Sequence, residues 1–477
     1  MSRFSKVFRL SQSQAELDFV DIDLAQDNRL YLDPYAIQIR DDEWSSQCGD
    51  AIRSFFHEVL DALRTDNQTR AQHLLSHLHE PNETFLGQSR GRPSGRGVGH
   101  DKAADLLNAL RRSRAFKTGL ISDISEAELF IENIGPDTIS DLTTNILRGL
   151  LAGYTLAQCE LHGLATQQTT LLGPAWSSIL LDWESKPLHL PLHNNRPVLL
   201  IPKYSVRRVL SLNSQEFWNH HMISYLQREY LDSRSALVRT FKNGTQYVTK
   251  KSVKERHPFI KDELATFAQK HPEVLAAYKS LKGAKGPLEG TDFDEEFDES
   301  LFAQTLVDRL KAIKPGNAAA GEYHSISMGI LTFLFYPELI CPVKEKELHE
   351  GRKRVDIKFT NAASSGFFQR MLQSPQARAI SILVECKNYS DDPRNPEYDQ
   401  LTSRYGHQRG FFGFLLCRSL VDRRRSIAAC RDAASDGRGY MLVFEDADIV
   451  LMLNMVINRN RSQIDRFLQE RFDEITH

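Results

Sequence analysis

The stretch of sequence that decides the fold of the last third of the chain is Ile380-Ser381-Ile382-Leu383-Val384-Glu385-Cys386-Lys387. It is an apolar run, which predicts a buried β-strand, and it ends in an acid, one intervening residue and a lysine. Burying a lone charge is costly unless that charge is paired or bound to a metal ion. The position of Glu385 and Lys387 therefore requires a physical reason.

Successive side chains of a strand point to opposite faces of the sheet, and this alternation separates the two charged residues from the apolar ones. We expect Glu385 and Lys387 to project together from one face, one pleat apart. The opposite, packed face should carry Ile380, Ile382, Val384 and Cys386.

Another strand is predicted between Arg352 and Phe359, after a strand near residues 339–348. Its apolar residues share one face and its polar residues share the other: Val355, Ile357 and Phe359 against Arg354, Asp356 and Lys358. If this strand lies beside the strand that ends at Lys387, Asp356 converges with Glu385 and Lys387. The prediction of a site fails if the two strands are not adjacent.

A helix that begins near Gly321 and ends at Pro337 should bring a further carboxylate to the same place. Glu322 shares a helical stripe with four residues that are expected to face the core, so we predict that Glu322 also faces inward. The four residues are Ile326, Gly329, Ile330 and Phe333.

After the Glu-x-Lys strand, a helix is predicted from Glu397 to Gln408, with Gln400 and Arg404 one turn apart on one side. A final strand at residues 411–417 is wholly apolar, as an interior strand covered on both faces would be. A basic cluster, Arg418 and Arg423–Arg425, follows it directly.

These residue types, in this order and on these elements, resemble the PD-(D/E)XK nuclease superfamily and, within it, the branches that add a glutamine on the following helix. The matching positions are Glu322, Asp356, Glu385-Cys386-Lys387 and the Gln400 of Tyr398-Asp399-Gln400-Leu401. The resemblance covers roughly residues 301–455. It implies a restriction-endonuclease-like domain, an α/β fold whose mixed sheet is flanked by helices.

Two features depart from the pattern of that superfamily. Val355 stands at the position of the proline in the superfamily's name, a position that is loosely kept. The segment from Thr360 to Ala379 makes the gap between Asp356 and Glu385 longer than usual, so an inserted helix is expected near residues 367–372.

Hydrolysis of a phosphodiester requires an activated water and neutralisation of phosphate charge, and Mg²⁺ held by two carboxylates supplies both. Asp356 and Glu385 would bind Mg²⁺ or Mn²⁺, helped by the carbonyl of Cys386. Glu322 would bind a second ion or a metal-bound water.

The other matching residues would act on the substrate. Lys387 would orient the attacking water or stabilise the charged phosphate, and Gln400 and Arg404 would position the nucleic-acid backbone. Arg423–Arg425 are further candidates for contacts with DNA. As the resemblance implies, the products would carry a 5′-phosphate and a 3′-hydroxyl.

Three functions stay open at this point. The first is a DNA endonuclease of an anti-phage defence or restriction type. Nuclease modules fused to unfamiliar recognition regions are common in bacterial defence proteins. A second defence-system subunit is then a possible partner. The second is a nuclease of DNA repair, recombination or transposition. The third is a catalytically inactive module that binds nucleic acid or a partner. Cutting both strands usually requires two active sites, so a homodimer is expected.

Upstream of the nuclease-like domain (residues 301–477), the sequence predicts a mainly helical α+β domain at 1–165, a middle region at 166–285 and an acidic linker at 286–300. Near the amino terminus, four acids are expected on the solvent face of a small sheet: Asp18, Asp21, Asp23 and Asp33. The middle region contains cations interleaved with Phe241 and Tyr247, a pattern that suits a nucleic-acid strand or a solvated surface. Lys250 and Lys251 are its candidate binding residues.

Composition limits the class of protein. Of the 477 residues, 41% are hydrophobic and 26% are charged, and the formal net charge is −2, so nucleic-acid contacts must come from local patches. Six cysteines without metal-site spacing indicate a reducing compartment, and no apolar run approaches the roughly 18 residues of a membrane span. We therefore expect a cytoplasmic protein without membrane segments.

Overall fold

The structure is a computed structural model that describes residues 2–87, 99–170, 172–344 and 357–476. It forms two compact units, each discontinuous in sequence. Unit 1 comprises Met1–Ser2, Ile22–Thr155 and Thr166–Pro287, and unit 2 comprises Arg3–Asp21, Leu156–Ala165 and Leu288–His477. The sequence prediction instead places a domain boundary near residue 165, between two segments that belong to unit 1.

The helices account for most of the regular structure. In chain order they are α1 (Phe4–Val7), α2 (Pro34–Gln38), α3 (Glu43–Arg64), α4 (Gln68–Ser76), α5 (Gly99–Arg112), α6 (Arg114–Lys117), α7 (Ala127–Phe130), α8 (Pro136–His162), α9 (Ser214–Glu216), α10 (Ile223–Asp232), α11 (Lys250–Arg256), α12 (Lys261–Lys270), α13 (Pro272–Gly283), α14 (Gly290–Phe293), α15 (Glu299–Ala312), α16 (Ala320–Phe335), α17 (Gly366–Gln373), α18 (Asn395–Thr402), α19 (Arg423–Ser435), α20 (Asp446–Ile457) and α21 (Gln463–Thr476). A π-helical turn, Phe217–Met222, joins α9 to α10.

The strands are short in unit 1 and longer in unit 2. They are β1 (Tyr31–Leu32), β2 (Gln167–Thr169), β3 (Ala175–Ser177), β4 (Asp182–Glu184), β5 (Leu188–Leu190), β6 (Leu192–His193), β7 (Arg196–Pro197), β8 (Val206–Arg207), β9 (Arg239–Thr240), β10 (Gln246–Tyr247), β11 (Leu339–Val343), β12 (Ile357–Asn361), β13 (Ser381–Lys387), β14 (Phe412–Cys417) and β15 (Tyr440–Glu445).

Unit 1 is mainly helical, and its strands form two-stranded antiparallel pairs. The 22-residue helix α3 shows why a helix forms there: Asp42 accepts the N–H of Ser45 at 3.0 Å and caps it, and apolar residues recur along one buried face. The expectation of a mainly helical α+β region before residue 301 is confirmed.

Unit 2 is built on a five-stranded mixed sheet in the order β11-β12-β13-β14-β15, flanked by helices. Strands β11, β12 and β13 pair antiparallel, whereas β13, β14 and β15 pair parallel. The carboxyl ends of β13, β14 and β15 therefore meet at one edge of the sheet, where Lys387 pairs with Cys417 and Cys417 with Glu445. The predicted mixed sheet flanked by helices is confirmed.

The adjacency on which the predicted site depends is present. Strand β12 pairs with β13, with Ile357 opposite Val384. Ile357 and Phe359 are fully buried and Lys358 is half-buried, as the alternation of this strand predicts. The inserted helix is present as α17, whereas the strand predicted to be last, β14, is followed by β15.

Helix α16 departs from the prediction at its beginning. Ile326 and Phe333 are buried as expected, but Glu322 in the first turn is exposed and so does not face inward. The adjacent Tyr323 is buried in its place and donates a hydrogen bond to Asp446 Oδ1 at 3.1 Å. A carboxylate in a first turn stays hydrated at little cost, because the favourable helix N-terminus and water are both available.

Three of the four acids expected on a solvent face are buried: Asp18, Asp21 and Asp33. In unit 2, Asp21 accepts the backbone N–H and the hydroxyl of Ser5, at 2.8 and 2.7 Å. In unit 1, Asp33 caps α2 and accepts the N–H of Ser211 at 2.7 Å. The expectation was wrong because buried backbone donors need acceptors, and these carboxylates supply them.

The acidic segment predicted as a linker, residues 286–300, is partly helical. It contains α14, and Phe297 packs against the hydrophobic core of unit 2. No helix among the described residues is long and apolar enough to cross a bilayer.

Replacing Leu415 in β14 tests how strongly the interior strand stabilises unit 2. Leu415 is fully buried and pairs with Glu385, so Leu415→Ala removes buried methyl groups and leaves a cavity. We expect the free energy of unfolding, measured by urea denaturation with circular dichroism, to fall by about 2–5 kcal/mol. Leu301→Ala, at a 67% exposed leucine of α15, is the control and should change it by less than about 0.5 kcal/mol. Equal losses would contradict the placement of β14 in the core.

Candidate active site

The carboxylate of Glu385 is buried near the end of β13, with 2% of the residue exposed. The ammonium of Lys387, two residues on, lies 2.7 Å from Glu385 Oε1. Residues i and i+2 of a strand share a face, so this contact confirms that the two side chains project together. The side chain of Lys387 is 17% exposed, so its ammonium group is partly accessible to solvent.

Helix α18 and the turn after it complete the cluster. Gln400 Oε1 accepts from Lys387 Nζ at 3.1 Å. Arg404 donates through Nη1 to Glu385 Oε2, whereas Lys387 donates to Oε1. We call Glu385, Lys387, Gln400 and Arg404 the Glu385 cluster.

Helix α18 ends earlier than predicted, and this shortening sets the position of Arg404. The helix ends at Thr402, and the N–H of Arg404 then bonds to the carbonyl of Leu401 at 3.1 Å. The chain turns there, and the Arg404 side chain is directed to Glu385 and is only 2% exposed. The prediction that Arg404 contacts a nucleic-acid backbone is corrected, because a buried, ion-paired guanidinium cannot reach phosphates in solvent.

A second carboxylate fixes the start of α18 close to Lys387. Glu397 accepts the N–H of Arg394 at 2.9 Å and the hydroxyl of Tyr389 at 2.9 Å. Burial acts to raise the pKa of Glu397, but these hydrogen bonds and the charge of Lys387 outweigh it and lower the pKa. Glu397 is therefore ionised at neutral pH and adds negative potential beside the Glu385 cluster.

The residue after Lys387 joins a polar network that the sequence analysis missed. Asn388 donates to the carbonyl of Gly316 at 2.8 Å and accepts from Arg418 Nη1 at 3.3 Å. Arg418 lies 3.0 Å from Asp446 Oδ2, and Tyr323 bonds to the other oxygen of Asp446. Only the position of Asn388, directly after Lys387, could have indicated this network. It holds the end of β13 to the neighbouring strand ends.

Three further residues are predicted metal ligands: Asp356, Cys386 and Glu322. Asp356 lies outside the described residues, and it directly precedes Ile357 in the sequence. Cys386 is half-buried between Glu385 and Lys387. Glu322, the expected ligand of a second ion, is exposed.

The predicted nucleic-acid contacts fall into two groups. Arg423 is half-buried and paired with Glu445 and Asp448, at 3.4 and 3.3 Å, so its charge is already compensated within unit 2. Exposed cations are Arg424 and Arg425 in unit 2, and Lys250 and Lys251 in unit 1.

The donor chemistry at this strand end suits a hard divalent cation. Mg²⁺ takes oxygen ligands, and Glu385 offers a carboxylate and Cys386 a backbone carbonyl. Within the described part of the chain there is no group of three metal-ligating His, Cys, Asp or Glu side chains. Asp356 stands outside that part.

The comparisons with known proteins concern the other end of the chain. A family profile described as a domain of unknown function (DUF8370) matches residues 9–213, which is less than half of the chain and does not include the Glu385 cluster. No curated protein and no solved structure shows significant similarity.

Removing Arg404 tests whether it holds Glu385 in place. Arg404→Ala leaves a buried carboxylate with less compensation, so we expect the free energy of unfolding to fall by about 3 kcal/mol. Adding Glu385→Gln to Arg404→Ala should recover part of this loss, because the uncompensated charge is then absent. Urea denaturation of the single and double variants measures both effects.

The matched control for this experiment is Arg438→Ala. Arg438 pairs with Asp399 at 2.8 Å, but its side chain is 41% exposed, so its loss should cost at most about 1 kcal/mol. Equal costs for Arg404 and Arg438, or no recovery in the double variant, would show that the buried pair does not position Glu385.

The network beside the cluster should make stability depend on pH. Burial raises the pKa of Asp446 to about 6, although Arg418 and the Tyr323 hydroxyl act in the opposite direction. Because the folded state then binds a proton more tightly than the unfolded chain, the contribution of Asp446 to stability falls as the pH rises from about 4 to about 7. The stability of the wild type relative to Asp446→Asn should fall over that range in urea denaturations at several pH values. A constant difference would contradict the raised pKa.

Proposed function

We propose that unit 2 is a metal-dependent endonuclease that hydrolyses DNA phosphodiester bonds. The observation that carries this proposal is the Glu385 cluster: at the end of one strand, a buried carboxylate and a lysine form a 2.7 Å ion pair, and the lysine also contacts the glutamine of the next helix. Asp356, which directly precedes the first described residue of the adjacent strand β12, is the second carboxylate of the proposed site.

The cation would be held by Glu385, the carbonyl of Cys386 and Asp356. A bound Mg²⁺ or Mn²⁺ would neutralise charge on the phosphate and lower the pKa of a water molecule. Glu385 is held for this role by Arg404, which lies behind it in the protein interior. Glu322 has no role in this proposal, because it is exposed and does not face inward.

Lys387 acts on the reacting phosphate or on the attacking water. An ammonium group has three protons, and two of them are used in the contacts with Glu385 and Gln400. The third proton is available to a phosphate oxygen or a water at the exposed edge of the site. The amide of Gln400 fixes the direction of the ammonium and has two N–H donors of its own for a second phosphate oxygen.

Binding of DNA requires local positive charge, because the chain as a whole has a formal charge of −2. Arg424 and Arg425, exposed in the first turn of α19, supply it in unit 2. We propose that the enzyme acts in the cytoplasm as an anti-phage defence or restriction-type effector, with a second defence-system subunit as a possible partner. Cutting both strands calls for two sites, and a homodimer would provide them.

A second candidate function is a module that binds nucleic acid or a partner without cutting it. One observation favours it: both oxygens of Glu385 already accept from cations, as they would in a purely structural ion-pair cluster. The two functions differ in what Lys387 does, because a structural lysine contributes to stability and a catalytic one to turnover.

Cleavage of plasmid DNA in Mg²⁺ or Mn²⁺ tests the proposal. We expect Lys387→Ala and Asp356→Ala each to lower the cleavage rate by about 100-fold or more, because a preorganised charge at the reacting phosphate is lost. Gln400→Ala should have a smaller effect, since it removes only a positioning contact. Gel analysis of nicked and linear products gives the rates.

Lys311→Ala, at an exposed lysine of α15, is the matched control and should leave the rate unchanged. Cleavage that persists in both Lys387→Ala and Asp356→Ala would refute the site. Wild-type protein that cuts no supercoiled, linear, branched or single-stranded DNA would favour the non-cutting module.

A further inference from the structure

A small hairpin in unit 1 exposes an aromatic pair that the proposed nuclease site does not use. Strands β9 and β10 pair antiparallel, and the turn between them is closed by the N–H of Phe241, which donates to the carbonyl of Thr245 at 2.9 Å. Gly244 adopts φ +85° in this turn, a backbone conformation that favours glycine. The hairpin therefore presents Phe241 at a defined position.

The ring of Phe241 stacks on the ring of Tyr247, with centroids 3.9 Å apart and an interplanar angle of 21°. Phe241 is nonetheless 53% exposed. Tyr247 covers one face of the Phe241 ring, which leaves the opposite face toward solvent. An exposed ring that is already held by a second ring is a preformed stacking platform, and its side-chain entropy is largely lost before any ligand arrives.

The segment that carries this platform is rich in positive charge. Residues 239–256 contain one acid, Glu255, and six cations: Arg239, Lys242, Lys250, Lys251, Lys254 and Arg256. Two of the cations are held over rings, Lys254 over Trp218 at 4.9 Å and Arg256 over Tyr230 at 5.4 Å. Arg239, Lys242, Lys250 and Lys251 are exposed, and in the described part of the chain no ion pair engages them.

The base of the hairpin is anchored to the core of unit 1. Val248 and Val253 are buried, and the carbonyl of Val248 accepts from Gln227. Thr249 caps α11 by accepting the N–H of Ser252 at 3.2 Å. The platform and the cations of α11 thus belong to one ordered surface.

We propose that the β9–β10 hairpin and α11 form a binding surface for an unpaired nucleic-acid strand. A base has a free face for stacking only when it is unpaired, and exposed cations on the same hairpin and on α11 can contact the phosphates of that strand. Duplex DNA would offer only its phosphates to this surface. The proposal does not depend on the nuclease activity proposed for unit 2, because it rests on residues of unit 1 alone.

Fluorescence anisotropy of the full chain in EDTA tests the proposal, with 20-nucleotide oligo(dT), 20-nucleotide oligo(U) and a 20-base-pair duplex as probes. We expect a single strand to bind more tightly than the duplex, and the comparison of oligo(dT) with oligo(U) identifies DNA or RNA as the ligand. Phe241→Leu keeps an apolar side chain but removes the ring, so it should weaken single-strand binding by roughly 5- to 100-fold. Phe241→Trp should retain binding.

The cations have a separate readout. If Lys250 and Lys251 each contact a phosphate, the double variant Lys250→Ala/Lys251→Ala should reduce the slope of log K against log salt by about 1.4. Arg64→Ala/Lys117→Ala, at two exposed cations elsewhere in unit 1, is the charge-matched control and should leave the slope unchanged. Thermal unfolding checks that each variant is folded.

The proposal would be overturned by no binding of either single strand, by an unchanged single-strand affinity in folded Phe241→Leu, or by a loss of affinity in Phe241→Leu that is as large for the duplex as for a single strand. Competition by polyglutamate as effective as competition by oligo(dT) would also overturn it, because the surface would then be a general anion-binding patch. A protein that binds oligo(dT) but does not cut plasmid DNA would contradict the nuclease proposal and leave this one standing. A protein that cuts plasmid DNA but binds no single strand would contradict this proposal alone.

Discussion

The arrangement at the end of β13 depends on the compensation of one buried charge. Glu385 is almost completely removed from water, and an isolated carboxylate in that position would be strongly unfavourable. Its two oxygens are instead paired with different cations, Lys387 from its own strand and Arg404 from the turn after α18. The ion pair with Lys387 lies within β13, whereas the ion pair with Arg404 holds the turn after α18 against the sheet. The position of α18 relative to the sheet therefore depends on Glu385.

The topology of the sheet explains why polar residues gather at this edge. The change from antiparallel to parallel pairing occurs at β13, so three successive strands end side by side. Lys387, Cys417 and Glu445 are the last residues of these strands, and Asp446 follows directly. Loops and helix starts at carboxyl ends of parallel strands are where open α/β sheets place their ligands. The polar network around Asn388 and Arg418 stabilises this edge beneath the proposed site.

Strand parity could be predicted from sequence because it is a local property. Alternation placed Glu385 with Lys387, whereas the adjacency of β12 and β13 was a condition of the predicted site, which the structure meets. The helix length after β13 could not be predicted in the same way. A continuous helix to Gln408 would keep Arg404 on the stripe of Gln400, whereas the actual helix ends at Thr402 and Arg404 turns inward.

Charged residues were the main source of error, because their partners lie far away in the sequence. Glu322 belongs to a core-facing stripe by spacing, yet a first-turn carboxylate can remain in water. Asp21 and Asp33 look like solvent-facing acids, yet each satisfies buried donors supplied by distant segments, such as Ser5 and Ser211. Hydrophobic periodicity does not contain this information, since it reports which face is apolar and not which backbone groups need acceptors.

The unequal environments of the two cations at Glu385 favour an active site over a structural ion pair. Arg404 is buried, and its planar guanidinium is well suited to hold a carboxylate permanently. Lys387 is partly exposed on a flexible stem, and its ammonium is shared between Glu385 and Gln400. A structural role needs only one such cation, and the buried Arg404 already supplies it. The fold thus pairs the carboxylate with one buried cation and one partly exposed cation, and the proposed site uses the partly exposed one for a phosphate or a water.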